Sequence, residues 1–419
     1  MANEKEMDMH RQIKPMSWYL VPIGLSATLF MSGPFGMHTK INKINCKDLK
    51  PPYIILSNHA SMIDFPNVLK AVFPKRVCWV CSIEEFNRGE WLMRHAGCVP
   101  KRKYTKDVSL MRRIKTALNK DHRIIVVHPE ARFSIGGVPD SYSEAIGKFV
   151  KFCDVPVVVF NQKGNYLYSP QWAKKPNRKE IKQEADFIQV VNQEDVRNLS
   201  EDEIQKKIEE AFDYDDFKYQ ADHKIKLTFK DRAKGIHRIL YKCPCCGDEK
   251  NMTSYESFVE CKACGAKWEM DEYSRLHLIN DDKKWDASLA HVPNWYHWER
   301  DKVREEIENG NYLFEDDVRI EHLVNPQVKF RTIGTIKMRQ DLDGIKLFGK
   351  LDDGTDFLFE KPASSTSAIH IEYNFLKRGD AIEVSDLTKT YFVYPLNEKN
   401  ILTKIHFATE ILYQRTKNK

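Results

Sequence analysis

The sequence predicts an α/β domain with a largely parallel mixed sheet flanked by helices, then a small four-cysteine ribbon and a C-terminal antiparallel β domain. Three observations predict this. From residue 51 to 160, short apolar runs alternate with amphipathic stretches, the pattern of strands joined by helices. Half of the ten cysteines fall between Cys243 and Cys264, in paired C-x2-C spacing. Beyond residue 311, Asp-Gly and Gly-Asp pairs punctuate short alternating runs.

At about 150 residues per domain, 419 residues suggest two or three domains with a sizeable core. Hydrophobic residues at 42% and charged residues at 30% exclude long disorder and a multi-span membrane protein. The net charge of +6 is too small to mark a nucleic-acid protein by itself.

Lys14 and Lys40 bracket 25 residues with no Asp, Glu, Lys or Arg. Pro22, Gly24, Gly33, Pro34 and Gly36 interrupt this run, which argues against a bilayer span. Glu4, Glu6 and Asp8 precede it, and it lacks the pattern of a signal peptide. Two readings remain. One is a core helix followed by a loop. The other is a helix in the membrane interface, with Trp18, Tyr19, Leu20, Leu25, Leu29 and Phe30 toward lipid.

In the first domain, strands are expected at 53–56, 76–81, 123–127 and 155–160. Helices are expected at 64–73, 84–95, 107–119 and 143–153. Functional groups on such sheets sit on loops beyond the strand ends. There, Ser57-Asn58-His59-Ala60-Ser61-Met62-Ile63-Asp64 places a His and an Asp five positions apart. An unbroken helix would hold them about 140° apart, so they meet only across an irregular turn. In that geometry Asp64 accepts one ring N–H and the other ring nitrogen can take a proton. A capping Asp beside a surface His is the alternative.

Asn58-His59-x-Ser61-x-x-Asp64 resembles the H-x4-D motif of the glycerolipid acyltransferase family, of the 1-acylglycerol-3-phosphate and lysophospholipid acyltransferase type. Gly97-Cys98-Val99-Pro100-Lys101-Arg102 resembles its second block, with a phosphate-binding Arg. Pro129-Glu130-Ala131-Arg132-Phe133-Ser134 resembles its third block, and Val155-Pro156-Val157-Val158 its fourth. The resemblance covers roughly residues 16 to 215. His128 stands where the family has Phe, Ala131 where it has Gly, and Arg132 one place early.

The resemblance implies transfer of a fatty acyl group from an acyl thioester or acyl-phosphate donor to a lysophospholipid hydroxyl in phospholipid biosynthesis. The implied acceptor is 1-acylglycerol 3-phosphate, or glycerol phosphate. His59 would be the general base and Asp64 its orienter. Lys101, Arg102, Glu130, Arg132 and Ser134 would bind substrate. Glu130 would meet glycerol hydroxyls or hold an Arg in place, and Ser61 would serve the turn. No catalytic cofactor is implied; acyl-CoA, acyl carrier protein or acyl phosphate enters as co-substrate. The basic run from Lys101 through Lys106, Arg112, Arg113, Lys115 and Lys120 suits a solvated helix face, anionic headgroups or an acidic carrier protein.

Cys243-x2-Cys246 and Cys261-x2-Cys264 are 14 residues apart, which nearly matches a four-cysteine zinc pattern. Gly247 and Gly265 follow the second Cys of each pair and suit tight knuckles. Four thiolates with no open position predict structural zinc, hence a zinc ribbon, and reduced thiolates predict a cytoplasmic setting. Around it Asp248, Glu249, Glu256, Glu260, Glu269, Asp271 and Glu272 outnumber Lys242, Lys250, Lys262 and Lys267, which is a poor surface for nucleic acid. Residues 200–212 fit an amphipathic helix, and 292–300 are dense in aromatics suited to core packing. On the β region, His370 and Glu372 read as one face of a strand.

The expected organisation is therefore an N-terminal membrane-interfacial segment (1–40), an acyltransferase domain (41–215), a helical connector (216–240), a zinc ribbon (241–275), and an aromatic-rich linker with a β-rich C-terminal domain (276–419). The protein is expected to be peripheral on the inner face of the cell membrane. Two rivals are a catalytically degenerate lipid-binding scaffold and a nucleic-acid-associated ribbon protein.

Overall fold

The computed structural model describes residues 7–32, 39–140, 145–173, 180–323 and 330–417; of residues 27–32 the backbone alone is described. The first sheet has seven strands: β1 (Thr39–Ile44), β2 (Tyr53–Ser57), β3 (Val77–Ser82), β4 (Cys98–Lys101), β5 (Ile124–Val127), β6 (Val157–Lys163) and β7 (Gln183–Val191). Their order is β1-β7-β6-β2-β5-β3-β4. Every neighbouring pair is parallel except β6 with β7. The central strand β2, Tyr-Ile-Ile-Leu-Ser, is buried at all five positions. Period-two alternation explains how: Tyr53 and Ile55 face one apolar cluster, Ile54 and Leu56 the other.

Helices cover both faces. α1 (Leu20–Ser32), α2 (Asp64–Val72) and α3 (Glu90–His95) lie in the first half of the chain, followed by α4 (Val108–Asn119), α5 (Ile146–Cys153), α6 (Asn165–Tyr168), α7 (Gln193–Asn198), α8 (Glu201–Ala211) and α9 (Asp216–Asp222). Val68, Leu69 and Val72 of α2 close the Tyr53 face. Leu110 and Ile114 of α4, Val150 of α5 and Ile204 and Ile208 of α8 close the other. Asp107 caps α4 by accepting the Leu110 N–H at 2.8 Å.

The expected helix over 84–95 is instead a 3-10 turn, Ile83–Arg88, followed by α3. Gly89 at φ 110° breaks the run, a backbone angle that Gly adopts without penalty. Strands β1, β4 and β7 lack the long apolar runs that mark β2 and β5. The start of the helix expected at 143–153 lies outside the described residues.

The ribbon is a four-stranded antiparallel sheet of β8 (Met252–Tyr255), β9 (Phe258–Cys261), β10 (Lys267–Met270) and β11 (Leu276–Leu278), in order β11-β10-β9-β8. The aromatic segment after it is no linker. It is the start of α10 (Val292–Glu308), which opens with Pro293 in its first turn. Trp295 and Tyr296 are fully buried, and Trp295 packs edge-on against ribbon Trp268 at 5.0 Å.

The last sheet joins β12 (Phe314–His322), β13 (Arg331–Asp341), β14 (Gly344–Lys350), β15 (Asp356–Pro362), β16 (His370–Glu372), β17 (Ala381–Ser385) and β18 (Thr390–Pro395) in the order β15-β14-β13-β12-β18-β17-β16. All its pairings are antiparallel. α11 (Leu402–Lys417) follows and is largely buried, including His406, Thr409 and Glu410. One apolar cluster runs without a break from Ala60 and Tyr166 through the ribbon and α10 to β13 and α11. The C-terminal half is therefore packed onto the first domain, not tethered to it.

Candidate active site

The loop after β2 folds around a single carboxylate. Asp64, the first residue of α2, accepts the Ala60 N–H at 2.7 Å and the Ser61 N–H at 3.0 Å on Oδ2. The same oxygen meets His59 Nδ1 at 2.7 Å. These bonds close the irregular turn that brings two residues five apart into contact. Asp64 Oδ1 accepts from Asn165 Nδ2 at 2.5 Å. Gln162 completes the support: its Oε1 accepts from Asn165 at 3.0 Å and Asn67 at 2.9 Å, while its backbone N–H donates to Asn58 at 2.8 Å. Asp64 is thus fixed by donors from two chain segments, residues 59–61 and Asn165, and is shielded from water, whereas the His59 side chain keeps 12% exposure. An imidazole that donates Nδ1–H to a fixed carboxylate presents a basic Nε2.

The His59 ring lies against Phe133 at 4.0 Å and stacks on His128 at 4.1 Å and 20°. Burial first, then His59, pushes the His128 imidazole down to about 3. His128 is therefore a neutral ring, and its Nδ1–H donates to the Ser57 carbonyl at 3.0 Å. It takes the place of a packing aromatic. Ala131 holds φ 54°, the left-handed region, so the turn keeps its shape with a methyl group in place. Ser134 is fully buried: its N–H donates to the His59 carbonyl at 2.6 Å and its Oγ accepts the Gly137 N–H at 3.1 Å. That is a turn-forming role, away from the cavity.

His59 opens onto a cavity of about 500 Å³. Its apolar arm runs between the sheet and helices α4 and α5, along Val80, Met111, Ile114, Val127 and Phe149. Its opposite wall comes from the C-terminal half: Ser365, Ser367, His370, Glu372 and Tyr413. Sequence reading placed none of these five in the site. The signal available was the closeness of His370 to Glu372, which lacked a partner segment to give it meaning.

Three of the basic residues, Arg102, Lys103 and Arg132, reach the same distant half. Arg102 turns out of the cavity and donates from Nη1 to Thr390 at 2.8 Å. Lys101 lines the cavity with its ammonium on the Thr105 carbonyl at 2.7 Å. Lys103 pairs with Glu84 and, at 3.3 Å, with Glu383. Arg132 lines the cavity too, but its Nη2 meets Glu410 at 3.0 Å and Asp140 at 3.1 Å. Arg300 bonds the second oxygens of both carboxylates, at 3.0 Å and 2.5 Å. Two guanidinium groups and two carboxylates thus form a closed, buried and neutral quartet. Glu130 accepts from Tyr214 at 2.8 Å on Oε1, while Oε2 has no hydrogen-bond partner among the described residues. Burial, then the nearby Asp140, raises its carboxyl to about 8. Glu130 is therefore a neutral acid at pH 7.

The four cysteine sulfurs, Cys243, Cys246, Cys261 and Cys264, lie within 4.8 Å of one another. The Cys243–Cys264 and Cys246–Cys261 separations are 3.8 Å. A tetrahedron with metal–sulfur bonds of about 2.3 Å has edges of about 3.8 Å, so the donor set fits such an ion. Gly247 and Gly265 adopt φ 78° and 75°, and each returns its N–H to the carbonyl of the first Cys of its pair at 2.8 Å. These are two matching knuckles.

Among the described residues, no helix is long and apolar enough to cross a membrane. Trp18 (74% exposed), Tyr19 and Ile23 face outward beside Trp91, while Leu20 and Leu25 pack against the core on α2's face of the sheet. Those two therefore leave the lipid-facing set that the sequence suggested. The side chains of Leu29 and Phe30 lie outside the described residues.

Residues 38–159 match the family model described as Acyltransferase. Among solved structures, the chain is similar to the crystal structure of the 1-acyl-sn-glycerophosphate (LPA) acyltransferase PlsC from Thermotoga maritima. That match has 20% identity and a TM-score of 0.35, and covers 46% of this chain and 75% of that one. No curated protein matches the sequence.

Proposed function

We propose that this chain, a glycerolipid acyltransferase-family member through its 38–159 domain, moves a fatty acyl group from an activated donor to a lysophospholipid hydroxyl at the His59 cavity. The observation that carries the reading is the Asp64-oriented His59 at the mouth of an apolar arm fit for an acyl chain. His59 Nε2 takes the proton of the acceptor hydroxyl as its oxygen attacks the donor carbonyl. The tetrahedral intermediate collapses, the thiolate or phosphate leaves, and the imidazolium returns the proton to it or to water. Asp64 stabilises the imidazolium, and the dry packing against Phe133 and His128 strengthens that attraction.

The donor is an acyl thioester, as acyl-CoA or acyl carrier protein, or an acyl phosphate. The motifs imply 1-acylglycerol 3-phosphate as the first acceptor to try. The cysteine cluster holds structural zinc, which pins the ribbon against α10. Trp18, Ile23 and Trp91 rest in the interface of the cytoplasmic leaflet, where indole rings are favoured and lysolipid is at hand.

The test is acyl transfer by purified, zinc-replete protein across several donors and lysolipids, with His59→Ala beside it. Transfer that disappears in the variant, with melting unchanged, is the expected result. Transfer that survives in His59→Ala contradicts the site.

A further inference from the structure

The wall contributed by β16 carries a second histidine–carboxylate pair, which faces the same cavity as His59. His370 is 3% exposed. Its Nε2 meets Glu372 Oε1 at 2.8 Å, and its Nδ1 has no hydrogen-bond partner among the described residues. Both residues line the cavity, with Ser367 beside them. Burial first, and then Lys103, holds the His370 imidazole below its ordinary range, so the ring is neutral. A carboxylate accepts only, so the single ring proton belongs on Nε2. Nδ1 is then a lone pair shielded from water, and it is satisfied only by a group that donates a hydrogen bond.

The surrounding charge points the same way. Lys103 is the cation nearest this wall, and Glu84 and Glu383 already hold it. Burial raises Glu84, but the Lys103 ammonium reverses this and leaves it lowered to about 2; burial and Glu84 raise Glu383 to about 8. At pH 7 the one ammonium at this wall thus already faces an ionised Glu84, with the carboxyl groups of Glu372 and Glu383 beside it. A phosphate dianion brings two more negative charges and no donor. A hydroxyl or ammonium brings the donor that Nδ1 lacks. The guanidinium groups that would answer a phosphate are turned away to Thr390 or closed in the quartet with Glu410.

We propose that His370 and Glu372 are specificity-determining residues that bind the non-reacting end of the acceptor, and that this end is a hydrogen-bond-donating headgroup, not a bare phosphate monoester. The inference rests on the acyl-transfer reading of the cavity and narrows its acceptor. Glu372 fixes the His370 tautomer; His370 Nδ1 accepts from the headgroup hydroxyl or amine; His59 stays with the reacting hydroxyl.

The experiment compares kcat/KM at pH 8, where phosphate monoesters are dianions, with one acyl donor and three acceptors. These are lysophosphatidate, lysophosphatidylglycerol and lysophosphatidylethanolamine, the last two separating a hydroxyl from an amine donor. Wild-type protein is expected to favour one headgroup-bearing acceptor over lysophosphatidate by at least tenfold, through KM. Glu372→Gln lets the ring carry its proton on Nδ1 and is expected to cut that ratio below threefold, again through KM. His370→Ala is expected to do the same. Because it empties a buried position, Glu372→Gln, at a partly exposed site, is the deciding variant. Lysophosphatidate as the preferred acceptor, or an unchanged ratio in Glu372→Gln, overturns the proposal and leaves the His59 reading standing. No transfer to any acceptor, or full transfer by His59→Ala, overturns both.

Discussion

The two ends of the cavity are built in opposite ways. At the His59 end, one eight-residue turn supplies the histidine, the carboxylate it bonds and two of the amides that hold that carboxylate. At the Arg132 end, three cations each bond a residue some 280 positions away: Arg102 to Thr390, Lys103 to Glu383, Arg132 to Glu410. The first arrangement is local chemistry that any copy of the loop carries with it. The second exists only when the C-terminal sheet and α11 are folded onto the first domain. The difference teaches that the C-terminal half is a wall of the His59 cavity and not an appendage, and that it holds the basic residues at that end.

The sharpest way to break this contrast is to unfold the distant half. Zinc-finger peptides bind metal with about 10–16 kcal/mol, all of it folding energy. Stripping the ion from the cysteine cluster should therefore melt the ribbon and, through the shared apolar cluster, loosen α11 and the quartet. Elemental analysis should find one zinc per chain, and calorimetry a large drop in Tm after chelation. No zinc, with unchanged melting, would refute the four-cysteine site.

Next in size, His59→Ala should lower kcat by about 10²–10⁴-fold, the usual worth of a general base, with an unchanged Tm. At the other end, Glu410→Ala removes one carboxylate shared by Arg132 and Arg300. Breaking a buried ion pair costs about 3–5 kcal/mol, because the remaining charge has no solvent. Urea denaturation should show that loss, where Lys218→Ala, at an exposed pair with Asp222 that solvent screens, should leave the midpoint nearly unmoved. Equal effects at the two positions would remove the distinction.

The last contrast is a pH dependence. Glu130 keeps its proton to about 8 in the folded chain, against about 4.3 when unfolded. Between those values the unfolded state binds fewer protons, so stability falls as pH rises through the window. Glu130→Gln mimics the protonated form. Its denaturation midpoint should fall less than that of wild type between pH 5 and pH 8. A parallel fall in both proteins would show that Glu130 is ionised at neutral pH.

What was legible in the sequence divides along the same line. The parallel core could be read because β2 and β5 are apolar throughout and α4 announces itself with a capping Asp. The His59 to Asp64 turn and the cysteine knuckles could be read because all their parts lie within a few residues. The edge strand β1 could not, since edge positions tolerate polar residues such as those of Thr39–Ile44, and its neighbour β7, Gln183–Val191, is broken by Gln183, Glu184, Asp186 and Gln189. α11 could not, because a helix buried on most sides lacks an amphipathic period. Gln162 and Asn165 were missed since each matters only where β6 ends beside Asp64. Arg132 was assigned to phosphate on its motif alone, because no local pattern discloses a carboxylate at residue 410. His370 and Glu372 were visible as a pair, but a strand does not say what it faces.

The most direct test of a cavity shared by both halves is a crystal structure with a lysolipid and a non-transferable acyl-donor analogue bound. The acyl chain should lie along Met111, Ile114 and Phe149, with the acceptor hydroxyl about 2.6–3.2 Å from His59 Nε2 and its far end against β16. A lipid seated on the Trp18 and Trp91 surface alone, with the His59 cavity untouched, would contradict the whole assignment.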